Sequence, residues 1–198
     1  QRITEVQSKL FEVGKDDPTD RDLILFPYSD RSNPLNWPLL LHEYYHTMPE
    51  KNNHLIKMVV LCTENGLEIS DFLFKWLEEF CADLWASSKM GPAYFCALSK
   101  FFLMRPPHTY IPLDTHPSPY LRIKMLEPFA QISCWGKGNQ NPAESLKKMF
   151  DSTTKSWPKS PSDISPVLLQ LASRVEPLIP KLRETFFSTE QQFNIESF

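Results

Sequence analysis

At 198 residues, with 41% hydrophobic and 23% charged side chains, the chain has the composition of a globular protein long enough to bury a core. A net charge of −3 with no Lys/Arg block argues against a nucleic-acid surface, so no nucleic-acid partner is expected. No apolar run reaches the roughly 18–20 residues of a membrane span, and no secretory signal opens the chain.

Residues 2–13 carry Ile3, Val6, Leu10 and Val13 on one stripe and predict a short amphipathic helix. Residues 23–26 are a short apolar run, either an extended strand or a core-facing loop, followed by a turn-rich connection from Pro27 to Pro34. Asn36 then suits an N-cap, with Pro38 in the first turn, and the helix it opens runs to Pro49. Leu39, Leu40 and Leu41 imply that this helix is buried.

Residues 54–62 are apolar and fit helix or strand, with a lean to helix; Glu64, Asn65 and Gly66 make a turn. Ser70 or Asp71 caps a stronger helix reaching Ser87, and Gly91-Pro92 opens another that is apolar almost all round. A proline-rich loop follows, then a helix over 121–132. From 136 to 165 the composition turns to Gly, Asn, Lys, Ser and Pro, which predicts a loosely packed linker or insert with one helix at 142–150. Residues 166–187 predict a last amphipathic helix interrupted at Pro177 and Pro180, within a C-terminal helical segment at 166–198. With 18 prolines against 5 glycines, the connections between these short helices should be rigid and irregular. The fold expected is mainly α, with at most a small β element and an α-helical C-terminal tail.

Cys62, Cys81, Cys96 and Cys134 show no C-x-x-C spacing and sit in apolar contexts, which reads as buried free thiols in a reducing, cytoplasmic setting.

The stretch that carries chemistry is His42-Glu43-Tyr44-Tyr45-His46. A helix advances about 100° per residue, so residues four apart share a face and both imidazoles can reach one metal ion. Zinc takes neutral imidazole nitrogens, and a catalytic site leaves a position open for water. Glu43, beside them, is placed to accept that water's proton as it attacks a carbonyl.

Two histidines need a further protein ligand, and Glu64, Glu68, Glu78 and Glu79 are available. Glu79 and Asp83 share a helix face that otherwise carries Phe72, Trp76 and Ala82. Buried carboxylates there need positive partners, which a divalent ion and the second ring N–H of a ligating histidine supply. Glu79 then binds the metal and Asp83 orients a histidine. Glu78 has no carboxylate one turn away and reads as a bystander, as do Glu64 and Glu68 beside their turn.

The string Glu79-Phe80-Cys81-Ala82-Asp83 resembles the E-x-x-A-D segment of gluzincin metallopeptidases, especially the HtpX-like and CAAX prenyl protease group. Thr115-His116-Pro117-Ser118-Pro119-Tyr120-Leu121-Arg122 is similar to that group's T-H-P-P-x-x-x-R segment, with Ser118 in place of the second proline. The three segments stand in the family's order.

This resemblance implies a zincin-like metallopeptidase core at 1–135, with Zn2+ held by His42, His46 and Glu79. It implies Glu43 as general base, Asp83 in support, and His116 as a donor to the developing oxyanion. Arg122 would pair with a carboxylate to hold its loop, and Tyr120 is a further candidate oxyanion donor. The chain departs from the group at Tyr45, a bulky residue where the group carries a small one, which could narrow the cleft. It also lacks the group's membrane spans.

The expected activity is zinc-dependent hydrolysis of peptide bonds in a peptide or protein substrate. The alternative is a catalytically silent, metal-stabilised helical module serving a larger protein, through further domains or a regulatory partner. His54 and His108 read as incidental.

Overall fold

The computed structural model describes residues 37–49, 51–103, 115–130 and 165–196, with isolated positions between 145 and 152. The described chain is mainly α-helical, and no strand occurs among the described residues. The helix expected at 2–13 and the strand or loop at 23–26 lie outside them. So does the helix at 142–150, apart from Ser145 and Lys148, which are helical.

The first described helix, α1 (Pro38–Thr47), starts with proline where its missing N–H costs nothing. Trp37 occupies the cap position and gives no side-chain cap, whereas Asn36, expected there, lies outside the described residues. Tyr45 and His42 turn inward from α1, while Leu39, Leu40 and Leu41 are only half-buried. This corrects the reading of a helix buried through its leucines: the inward stripe runs along Pro38, His42 and Tyr45.

Next comes α2 (Lys51–Glu64), so the ambiguous run at 54–62 is helical and begins earlier than its apolar residues do. Gly66, at φ +76°, takes the left-handed backbone that ends it, and its conformation suits glycine because a Cβ is disfavoured there.

The centre of the molecule is α3 (Asp71–Met90). Ser70 caps it, its hydroxyl accepting from the Leu73 N–H at 3.3 Å, one of the orphan donors of a helix start. Its first half is amphipathic, with Asp71, Phe74 and Lys75 exposed. From Glu79 to Ser87 every residue is buried. Gly91, at φ +54°, reverses the chain into α4 (Pro92–Leu103). After the undescribed loop, α5 (Pro119–Ala130) follows. The all-round burial of the second half of α3 has a direct cause: α1, α2, α4, α5 and the last helix all pack against it.

The C-terminal segment consists of α6 (Pro166–Val175), a 3-10 turn (Glu176–Leu178) and α7 (Ile179–Glu196). Pro177 explains the tightened turn. Pro180 sits in the first turn of α7, where proline is tolerated, so the two expected interruptions become one. Val175, Ile179, Leu182 and Phe186 are buried in the same core as α3, and the segment expected as a tail is therefore a structural layer. Lys124 and Tyr120 of α5 reach Glu176 at 2.5 and 3.1 Å. Lys181 donates to Asn65 at 3.0 Å, and Arg174 to the Gly66 carbonyl.

Candidate metal centre

Packing α1 across α3 brings three separate stretches of sequence together. His42 and His46, one turn apart on α1, face Glu79 on α3. The Nε2 atoms of the two histidines lie 3.2 Å apart, His42 Nε2 is 3.2 Å from Glu79 Oε2, and His46 Nε2 is 3.4 Å from Glu79 Oε1. One donor atom from each residue lies within 4.8 Å of the others. Tetrahedral zinc with bonds of about 2.0–2.1 Å separates its ligand atoms by about 3.3–3.4 Å. The nitrogen pair, and each nitrogen with its nearer Glu79 oxygen, stand at about that edge, the two histidines facing different oxygens of the same carboxylate.

The outer nitrogens explain the orientation of the inner ones. Asp83 Oδ1 lies 2.9 Å from His42 Nδ1. An Nδ1–H aimed at Asp83 leaves the lone pair of His42 on Nε2, pointing at the other donors. Converging lone pairs repel, and only protons or a cation between them relieves the repulsion. Glu79 Oε2 adds to this: it is buried and accepts no well-formed hydrogen bond, although charged nitrogens stand near it. The donor set therefore fits a divalent metal.

Asp83 is fully buried and heavily served. Arg122 donates to it through Nε at 2.7 Å and Nη2 at 2.6 Å, and the Tyr94 hydroxyl donates at 2.5 Å. Arg122 Nη1 also stands 3.2 Å from Glu79 Oε2. The charge balance has a consequence. With neutral imidazoles, two buried carboxylates face one guanidinium, leaving one net negative charge in the interior. A buried net charge is costly, so the cluster favours an added cation.

Proton affinities reflect the same field. Burial works against a charged His46, but hydrogen bonds to Glu78 and Glu79 outweigh it and raise its pKa to about 9. His42 is raised too: burial opposes its charge, and Asp83 and Glu79 overcome burial. Burial would raise Glu79, yet His42, His46 and Arg122 hold it far below the usual carboxylate range. Asp83 is likewise lowered, its burial outweighed chiefly by Arg122. Burial and the neighbouring Asp83 push the Tyr94 hydroxyl well above its ordinary value, so it stays a donor.

Of the other expected site residues, Glu43 is exposed and, among the described residues, has no hydrogen-bond or ion-pair partner. His116 is half exposed at the edge of the cluster, with Nε2 3.7 Å from Glu79 Oε2 and Nδ1 2.7 Å from the Thr115 hydroxyl. Burial lowers its pKa. Arg122 has the carboxylate partners expected of it. Tyr120 does not join the cluster in its hydrogen bonding, since its hydroxyl donates to Glu176. Tyr45, expected to crowd the cleft, is wholly buried; its ring packs on Trp85, and its hydroxyl lies 3.1 Å from His54 Nδ1. His54 is itself buried, tilted against Phe186 in the core.

Two participants escaped the sequence reading. Tyr94 was hidden in an apolar helix, where the signal was the phenol itself: a buried tyrosine hydroxyl needs a polar partner. Glu78 has no carboxylate partner on its own helix, and its partners come from α1 and α2 instead.

No relative decides the matter. Neither a family model, nor a curated protein, nor a solved structure matches the chain. The reading of the site rests on its own geometry.

Proposed function

We propose that the chain is a zinc-dependent metallopeptidase that hydrolyses peptide bonds in a peptide or protein substrate, with His42, His46 and Glu79 as the metal ligands. The observation that carries the reading is the convergence of two imidazole nitrogens and the Glu79 carboxylate within reach of one ion, with one of the histidines backed by a buried carboxylate. Zinc held there would act as a Lewis acid, polarising the scissile carbonyl and acidifying the attacking water.

The chain's own residues supply the rest. Glu43, next to a ligand and without a partner among the described residues, takes the proton of the attacking water and passes it to the leaving amine. His116, at the open edge, donates a hydrogen bond to the oxygen that becomes an oxyanion. Asp83, Arg122 and Tyr94 hold His42 in one tautomer and exclude water behind it. Buried Cys62 and Cys81 suit a reducing compartment, and we place the protein in the cytoplasm.

One observation favours the second reading, a silent metal-stabilised module. The Arg122–Asp83–Tyr94 network joins α3, α4 and α5 whether or not chemistry occurs beside it. Glu43→Gln separates the two. The variant should retain one zinc per chain and lose cleavage of a peptide library. Equal cleavage by parent and variant rejects Glu43 as the base, and no cleavage by a zinc-loaded parent favours the silent module.

A further inference from the structure

His42 and His46 both turn Nε2 toward Glu79, so each has an Nδ1 to satisfy on its far side. For His42 the partner is Asp83, pinned by Arg122. For His46, the carboxylate facing Nδ1 is Glu78 Oε1, at 3.5 Å. Glu78 is in turn held by Lys51, whose ammonium lies 3.2 Å from the same oxygen. That ammonium also donates to the His46 backbone carbonyl at 2.6 Å, one of the acceptors left open at the end of α1.

We infer that Glu78 is a positioning residue for His46, the half-exposed counterpart of Asp83 behind His42; the inference rests on the metal-centre reading above. Consecutive glutamates on α3 then divide the work: Glu79 faces the inner nitrogens, and Glu78, rotated by about 100°, reaches the outer nitrogen of the more open histidine. Lys51, as the first residue of α2, ties the second and third helices to the end of the first. The two supports differ in strength for a physical reason. Asp83 is fully buried and close to its histidine, whereas Glu78 and His46 each leave 26% of the side chain exposed and stand further apart. Water competes at the outer pair, so its effect falls at the low end of the range for residues that orient metal ligands.

The test uses the full chain and zinc alone. Zinc affinity is measured by competition with a chromophoric chelator for the parent, Glu78→Ala and Glu78→Gln, and the Nδ1–H resonance of His46 is followed by NMR in the zinc-loaded proteins. Glu78→Ala should bind zinc about tenfold more weakly and lose that resonance to solvent exchange. Glu78→Gln, whose amide oxygen can accept the same hydrogen bond, should recover both. Parent-like affinity with an intact resonance in Glu78→Ala overturns the inference while leaving the metal centre standing, and so does a glutamine variant no better than alanine. A parent that binds no zinc overturns both. If Glu78→Ala fails to fold, Lys51→Met releases the carboxylate without deleting it; it should weaken zinc and the resonance in the same direction, and no change in either overturns the inference.

Discussion

Asp83 shows how closely this interior is specified. A lone ionised carboxylate at full burial would be very costly, yet here Arg122, Tyr94 and His42 all address it. Replacing Asp83 by Ala removes the group that aims His42 and leaves the buried Arg122 guanidinium with Glu79 alone as its carboxylate in the cluster. We expect zinc affinity to fall about 10–100-fold, and the stability of the metal-free protein to fall by about 3–5 kcal/mol in denaturant titrations. Unchanged affinity would reduce Asp83 to a packing role. Tyr94→Phe should cost about 1–3 kcal/mol, because a buried acceptor loses one of its donors. Glu79→Ala should abolish zinc binding, whereas Glu78→Ala should only weaken it. At this scale the sequence was informative wherever partners share a helix: the spacing of His42 and His46, and that of Glu79 and Asp83, follow from helical geometry alone. Tyr94 and Glu78 were illegible because what they touch comes from other helices. The burial of Tyr45 is equally invisible to spacing, which does not show that its ring enters the core toward His54.

At the scale of elements, α3 and the C-terminal segment carry the architecture. Periodicity and capping residues located α3 and α4 well, since Ser70 and Gly91 act through local backbone chemistry. The run at 54–62 could not be resolved from its own residues; packing against α3 and α7 accompanies its helical form. Nothing in the composition of 166–187 marked it as core rather than tail, because burial depends on what lies opposite. Phe186 is fully buried against His54, so Phe186→Ala should cost about 3–5 kcal/mol, read from thermal or denaturant unfolding. A cost near zero would return this segment to the status of an appendage.

For the whole molecule, the cluster makes stability depend on pH in a way that metal should reverse. Without metal, His46 is raised from an ordinary 6.5 to about 9, with His42 raised as well. The contribution of His46 is complete below pH 6.5 and lost as pH rises through about 9, and that of His42 is likewise present below 6.5 and lost at higher pH. Glu79 and Asp83 are lowered from 4.5 and 3.8, so their contribution is present above those values and lost in acid. Chelator-treated protein should therefore lose thermal stability between pH 6.5 and 9. Zinc displaces the imidazole protons, so the zinc-loaded protein should hold its midpoint over that interval, and zinc affinity should rise with pH across it. Parallel curves with and without zinc would contradict the shared site.

None of the described helices is long and apolar enough to cross a membrane. The most direct test of the account is the zinc content per chain of protein purified without chelator or histidine tag, set beside His46→Ala. About one zinc is expected in the parent and none in the variant, both folded. A folded parent without zinc, or equal metal in both proteins, would contradict it.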